Sequence, residues 1–172
     1  MAKSLRLLLF SECNRRCPGC CNKDWNLNAL PVCMSFRDYD QIILTGGEPM
    51  LRPELVKKVA SDIRQVTDAP ILLYTAKTSK PQELIDVLQY VDGITLTLHT
   101  RGDLSGFYRF DSMLYNTHMA PKSLRLNVFK GIEVKAPVYW QVKRDIEWIK
   151  NCPLPSNEVF MRYDVPNGQE NL

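Results

Sequence analysis

The chain alternates short apolar runs with helix-patterned stretches, and this alternation restricts its possible folds more than any other feature. Runs rich in Ile, Leu and Val recur over residues 5–10, 41–45, 71–75, 94–98, 124–129 and 159–163. Near-continuous apolar runs of this length suit parallel strands covered by helices. Helical spacing fills the gaps between them. Pro53 fits a first helical turn, and Leu55, Val56, Val59, Ile63 and Val66 follow as a stripe. Pro81 opens a second helix with Leu84, Ile85 and Leu88 on one face. Phe107, Phe110 and Leu114 predict a third, and Val142, Ile146 and Ile149 predict a last one ending near Cys152-Pro153. Residues 22–40 form a long irregular connection containing Pro31, of a length that functional loops often take. There is no internal repeat. The pattern predicts one α/β domain over residues 1–165 and a loose polar tail over 166–172.

Composition removes several classes of function. A hydrophobic fraction of 45% supports a real core. No apolar run approaches the roughly 20 residues of a membrane span. A net charge of +3 gives no argument for nucleic acid. Six cysteines without a targeting segment point to a reducing cytoplasm rather than to a disulfide framework.

Two motifs carry chemistry. Cys13, Cys17 and Cys20 form C-x3-C-x2-C directly after the first strand run, and Gly46-Gly47-Glu48-Pro49 follows the second. Both fall at carboxyl ends of strands, where open parallel sheets bind ligands. A four-iron cluster normally takes one thiolate on each iron. A trio leaves one iron open to another ligand. Gly46 and Gly47 allow close approach to the backbone and permit positive φ. Glu48 offers acceptor oxygens, and Pro49 stiffens the exit. A structural zinc on Cys13, Cys17, Cys20 and either Cys21 or Cys33 is the alternative, although such sites usually pair their ligands in two separated couples. No G-x-G-x-x-G follows the first strand, so a dinucleotide fold has no support.

In this order and spacing, the two motifs resemble those of the radical S-adenosylmethionine (SAM) enzymes. The resemblance implies an open partial (β/α)6 barrel with a mostly parallel sheet and outer helices, since a full eightfold barrel takes roughly 200 residues or more. It implies a [4Fe–4S] cluster on Cys13, Cys17 and Cys20, with SAM on the open iron through its amino and carboxylate groups. Reductive cleavage of SAM would then give a 5′-deoxyadenosyl radical that takes a substrate hydrogen atom, with the electron drawn from a flavodoxin- or ferredoxin-like donor. Gly46, Gly47 and Glu48 are the expected partners of the SAM amino group. Thr75, His99 and Asn127 lie at later strand ends, where family members set polar residues against the ribose and carboxylate. Arg125 is a further carboxylate partner, and His99 is also placed to act on substrate. Trp25 is expected either near the adenine or in loop packing.

Gly19 departs from the common pattern, in which an aromatic residue before the third cysteine lies near the adenine. Glycine there is similar to the activating proteins of anaerobic ribonucleotide reductases. So are Cys20-Cys21-Asn22-Lys23-Asp24-Trp25 and the strand end Leu73-Tyr74-Thr75, whereas residues 101–117 do not match them. The implied substrate is a glycine of a partner protein, or a small molecule as in 7-carboxy-7-deazaguanine synthase. Cys21 and Cys33 flank the site, and Cys152 is expected as a small buried hydrophobe. Arg15, Arg16 and Lys23 add positive charge beside an anionic cluster. A zinc-binding interaction module remains the alternative of another class.

Overall fold

The computed structural model describes residues 2–164, so the tail expected over 166–172 lies outside the described residues. Seven strands form one sheet: β1 Ser4–Leu8, β2 Gln41–Thr45, β3 Ile71–Thr75, β4 Gly93–Leu98, β5 Ser123–Phe129, β6 Gln141–Ile146 and β7 Glu158–Arg162. Their order is β6-β5-β4-β3-β2-β1-β7, and every pairing is parallel. The six predicted strands are all present, and β6 is an addition to them.

Three helices connect the central strands: α1 Pro53–Arg64, α2 Pro81–Leu88 and α3 Leu104–Tyr115. Proline opens α1 and α2, where a missing N–H costs nothing. α1 buries Val56, Val59, Ala60 and Ile63, and α2 buries Leu84, Ile85, Val87 and Leu88. Val66 lies beyond the end of α1 and is exposed.

From β1 to β6 each strand is laid beside the one before it, always in the same direction. Right-handed crossovers that never reverse direction put their helices on one face of the sheet. The alternation of side chains shows the result. Leu5, Leu7, Ile42, Leu44, Ile71, Leu73, Ile94, Leu96, Leu124 and Leu126 join the helices in the main core. The opposite parity carries Arg6, Thr45, Tyr74, Thr97, Arg125 and Asn127, all half-exposed. The sheet therefore has an apolar helix-covered face and a second face on which these polar groups stand beside the buried Leu8, Ile43 and Leu72.

The helix predicted from Val142, Ile146 and Ile149 does not form. Residues 141–146 are instead the edge strand β6, paired only with β5. Val142 packs against the core, but Ile149 is 65% exposed, so the apparent stripe has no surface to cover. Lys143, Arg144 and Asp145 give the edge the charges that discourage further strand pairing. A register shift between Asn127 and Phe129 adds an irregularity there.

The connection from β6 to β7, residues 147–157, runs over the second face. Trp148 packs on His99 and Phe129 beyond β4 and at the end of β5. Cys152 is disulfide-bonded to Cys21. Leu154 joins Leu8, Leu30 and Phe160 in a small separate cluster, and the Asn157 carbonyl accepts from the Ser4 amide. Among the described residues, the three non-glycine residues with positive φ are Asp145, near the end of β6, and Asn151 and Cys152, within this connection. No helix among the described residues is long and apolar enough to cross a membrane.

Candidate functional site

The cysteine loop leaves the carboxyl end of β1 and is clamped from two sides. On one side is Gly46-Gly47-Glu48, at the exit of β2. The Gly47 amide donates to the Phe10 carbonyl at 2.8 Å, and the Glu48 amide donates to the Glu12 carbonyl at 2.8 Å. A Cβ on Gly47 would stand 1.9 Å from the Glu12 oxygen, and one on Gly46 would stand 2.9 Å from the Phe10 oxygen. The glycines do permit a close approach, but the approaching group is the chain's own backbone. Gly131 is the only described glycine with positive φ, so Gly46 and Gly47 do not use the freedom in φ that glycine permits.

Glu48 is 3% exposed and fully engaged. Its carboxylate accepts from the Thr75 hydroxyl, from the Met50 amide at 3.0 Å and from the Ala76 amide at 2.9 Å. Glu48 and Thr75, expected separately as cofactor contacts, thus bind each other and join the ends of β2 and β3. The Gly46 carbonyl accepts from Asn22 Nδ2 at 2.8 Å.

On the other side, Arg15 reaches Asp103, at the turn before α3. Its guanidinium donates to both carboxylate oxygens and to the Ala76 carbonyl. Burial pushes the Asp103 pKa upward, but the bonds from Arg15, Thr100 and His99 outweigh it and hold the group below its ordinary value. Asp103 also completes a capping box with Thr100. Sequence reasoning missed this clamp, although Thr100-x-x-Asp103 was the signal that could have revealed it.

Cys13, Cys17, Cys20 and Cys33 carry free thiols. Cys13 is exposed, and Cys17 and Cys20 are half-buried. Burial raises the Cys17 pKa, and the Cys20 and Cys13 thiolates raise it further, while Arg15 and Lys23 lower it. Lys23 Nζ donates to the Cys17 carbonyl at 2.9 Å. Among the described residues, no three His, Cys, Asp or Glu side chains converge as a metal-binding group. The donor chemistry of the trio, three thiols on one short loop, suits an iron–sulfur cluster.

The other cysteines lie apart from this role. Cys21 is bonded to Cys152, which corrects the expectation of Cys152 as a free buried hydrophobe. Cys33 donates to the Ser35 carbonyl, and its amide donates to the carbonyl of Arg162 at the end of β7. Neither completes a four-cysteine zinc site with the trio. Trp25 packs within the fold: its Nε1 donates to the Cys152 carbonyl at 3.3 Å, and its ring meets Phe160 edge-on.

Asn127 sits half-exposed on the second face, beside Thr97 and Lys143 in register, and its side chain makes no hydrogen bond among the described residues. His99 stacks on Trp148 with centroids 5.3 Å apart and touches Phe129 at 4.7 Å. Burial, and then the Arg15 cation, hold the His99 imidazole below its ordinary pKa. Trp148 also covers Gly19, where an added Cβ would fall 2.5 Å from the Trp148 Cβ and 2.6 Å from the first ring carbon, Cγ. Glycine next to the third cysteine is therefore required by packing against a tryptophan far along the chain. No family model, curated protein or solved structure matches this chain.

Proposed function

We propose that this chain is a radical SAM enzyme in which Cys13, Cys17 and Cys20 hold a [4Fe–4S] cluster beside the carboxyl end of β1. The observation that carries the proposal is a trio of free thiols on a loop held by backbone hydrogen bonds against the Gly-Gly-Glu segment of the neighbouring strand. When bound, such a cluster supplies an open iron for SAM and the electron that cleaves it. The parallel sheet, with β1 to β6 in chain order and helices on one face, agrees with an open partial barrel. The chain's own residues then have distinct tasks. Gly46 and Gly47 hold the loop close to the sheet, and the Glu48–Thr75 pair fixes the two strand ends beneath it. Asn127 keeps a free amide on the second face for the SAM ribose or carboxylate. The reductant is an electron carrier of flavodoxin or ferredoxin type.

The test is anaerobic reconstitution of the full chain with iron and sulfide. A brown protein with four irons, forming 5′-deoxyadenosine from SAM under reduction, is expected. Alanine at Cys13, Cys17 or Cys20 should abolish that product, whereas Cys152→Ala should retain its iron. A colourless protein carrying stoichiometric zinc, or product formation in all three single variants, refutes the assignment.

A further inference from the structure

A cavity of about 220 Å³ opens beside the cysteine loop, where the segments following β3 and β4 meet. Lys77 and Ser79 line it ahead of α2, Gly102, Ser105 and Arg109 line it around the start of α3, and Arg15 lines it from the cysteine loop. Its walls are tied together. The Thr78 hydroxyl donates to the Asp103 carbonyl at 3.2 Å, and a Cβ on Gly106 would stand 2.3 Å from the Thr78 carbonyl oxygen. The Asp103 carboxylate in turn holds the Arg15 guanidinium. The cavity is thus formed before any ligand enters.

Lys77 is the group that the fold leaves unsatisfied. Its side chain is only 11% exposed, yet Glu83, its one ion-pair partner among the described residues, stands 3.7 Å from Nζ. That is beyond hydrogen-bond reach. The Glu83 carboxylate bonds instead to Lys80 at 2.9 Å. Nζ of Lys77 makes no hydrogen bond among the described residues. An ammonium set this deeply normally has acceptors for its donors. Arg109 likewise has no acidic partner among the described residues. The lining therefore holds three cations against one carboxylate, Asp103, which Arg15 already neutralises. Lys77 and Arg109 are left to meet an anion.

We infer that this cavity anchors the terminal phosphoryl group of a small substrate. A phosphate monoester carries up to two charges at neutral pH and three acceptor oxygens. Two open cations match that charge, and the Ser79 and Ser105 hydroxyls add donors. A carboxylate, with one charge and two oxygens, leaves a cation unmatched. The volume is below the roughly 300–1,000 Å³ of pockets that enclose a whole ligand, so a headgroup enters and the rest stays outside. Asn14 also lines the cavity and directly follows Cys13, so the anchored molecule starts beside the thiol trio. The inference deepens the proposed function, and rests on it only in calling the ligand a substrate. Free phosphate presents the same charge, and the experiment separates the two sources.

Backbone amide NMR of the full chain at fixed ionic strength uses ribose 5-phosphate, inorganic phosphate, acetate and S-adenosylhomocysteine as probes. Ribose 5-phosphate should shift the amides of residues 77–79 and 102–106 saturably. Acetate should bind at least about tenfold more weakly, the loss expected for one charge-assisted contact. Lys77→Gln and Arg109→Gln should each weaken the ester by about five- to tenfold. Ser105→Asp should abolish saturation by placing a carboxylate at the cavity, and an acid in the first turn of α3 favours folding. No saturable shift, acetate binding as tightly as the ester, parent-like affinity in Lys77→Gln or in Ser105→Asp, or binding of inorganic phosphate with exclusion of the ester overturns the inference. So does displacement of the ester by S-adenosylhomocysteine at the same amides, because the cavity would then serve the SAM carboxylate. A chain that binds the ester but, once reconstituted, forms no 5′-deoxyadenosine sinks the radical reading alone. One that cleaves SAM without binding the ester sinks the phosphoryl anchor alone.

Discussion

Gly47→Ala should dislodge the cysteine loop. The new methyl carbon would lie 1.9 Å from the Glu12 oxygen and 2.4 Å from both the Glu12 carbonyl carbon and the Ser11 oxygen. All three are backbone atoms, so no side-chain rotation relieves the clash. The loop must move, and with it go the bonds from Gly47 to Phe10 and from Glu48 to Glu12. Overpacking of this kind costs about 1–3 kcal/mol, and each of the two hydrogen bonds contributes about 1 kcal/mol, giving about 3–5 kcal/mol in all. In a domain of this size that lowers the melting temperature by roughly 6–20 °C. Gly102→Ala is the matched control, since its nearest neighbour is Thr100 Oγ1 at 3.4 Å, an ordinary contact. It should stay within about 0.5 kcal/mol of the parent. Urea unfolding of the three proteins measures the difference, and amide exchange reports the loop directly, with residues 10–13 exchanging faster in Gly47→Ala. Equal midpoints for the two variants would show that the cysteine loop does not rest on Gly47.

Two other expectations follow from the connection over the second face and from its aromatic contact. Peptide mapping without reductant should link Cys21 to Cys152, and Cys152→Ser should lose up to about 5 kcal/mol relative to the oxidised parent, the loop-closure value for a separation of 131 residues; a link from Cys21 to Cys33 instead would contradict the fold. His99 resists protonation in the native state because burial and Arg15 lower its pKa, so the unfolded chain takes up the proton first as pH falls below about 6.5. The stability from neutral His99 is complete above that value and declines below it, by up to about 1.4 kcal/mol per pH unit, until the native group also protonates. Denaturant titrations of the parent and His99→Gln between about pH 7.5 and 5 should diverge, the variant being flatter; parallel curves would disprove the coupling.

The central strands were legible in the sequence because burial on the helix side makes them plainly apolar. Residues 41–45 and 71–75 match their observed bounds. The prolines at 53 and 81 marked helix starts through the one property of proline that a first turn tolerates. Residues 141–146 failed for the opposite reason. An edge strand buries little, so Val142 and Ile146 satisfied helical spacing by coincidence while charged neighbours hid the pairing with β5. At the site, the cysteines and glycines were visible as motifs, but their partners were not. Asp103 lies 88 residues from Arg15, Trp148 packs on Gly19 from a distant loop, and Cys152 lies 131 residues from Cys21. Local spacing carries no signal for such meetings, which depend on how the strand ends converge.

The two buried carboxylates of the site have a shared physical role. Glu48 and Asp103 are 3% and 6% exposed, yet both are paired by several donors within the protein. Each carboxylate ties a loop end to a neighbouring strand end: Glu48 joins β2 to β3, and Asp103 joins the cysteine loop to the turn after β4. Breaking either tie would leave a buried carboxylate short of donors, a cost that resists local opening. The backbone between Phe10 and Arg15 is thus fixed by the chain itself, while the Cys13, Cys17 and Cys20 thiols stay free. A loop ordered before its ligand arrives spares the binding step that entropy cost. The same economy explains why Glu48 serves better as an internal brace than as a direct contact: a carboxylate with three donors already in place holds Gly46 and Gly47 at the spacing where the cysteine loop can dock.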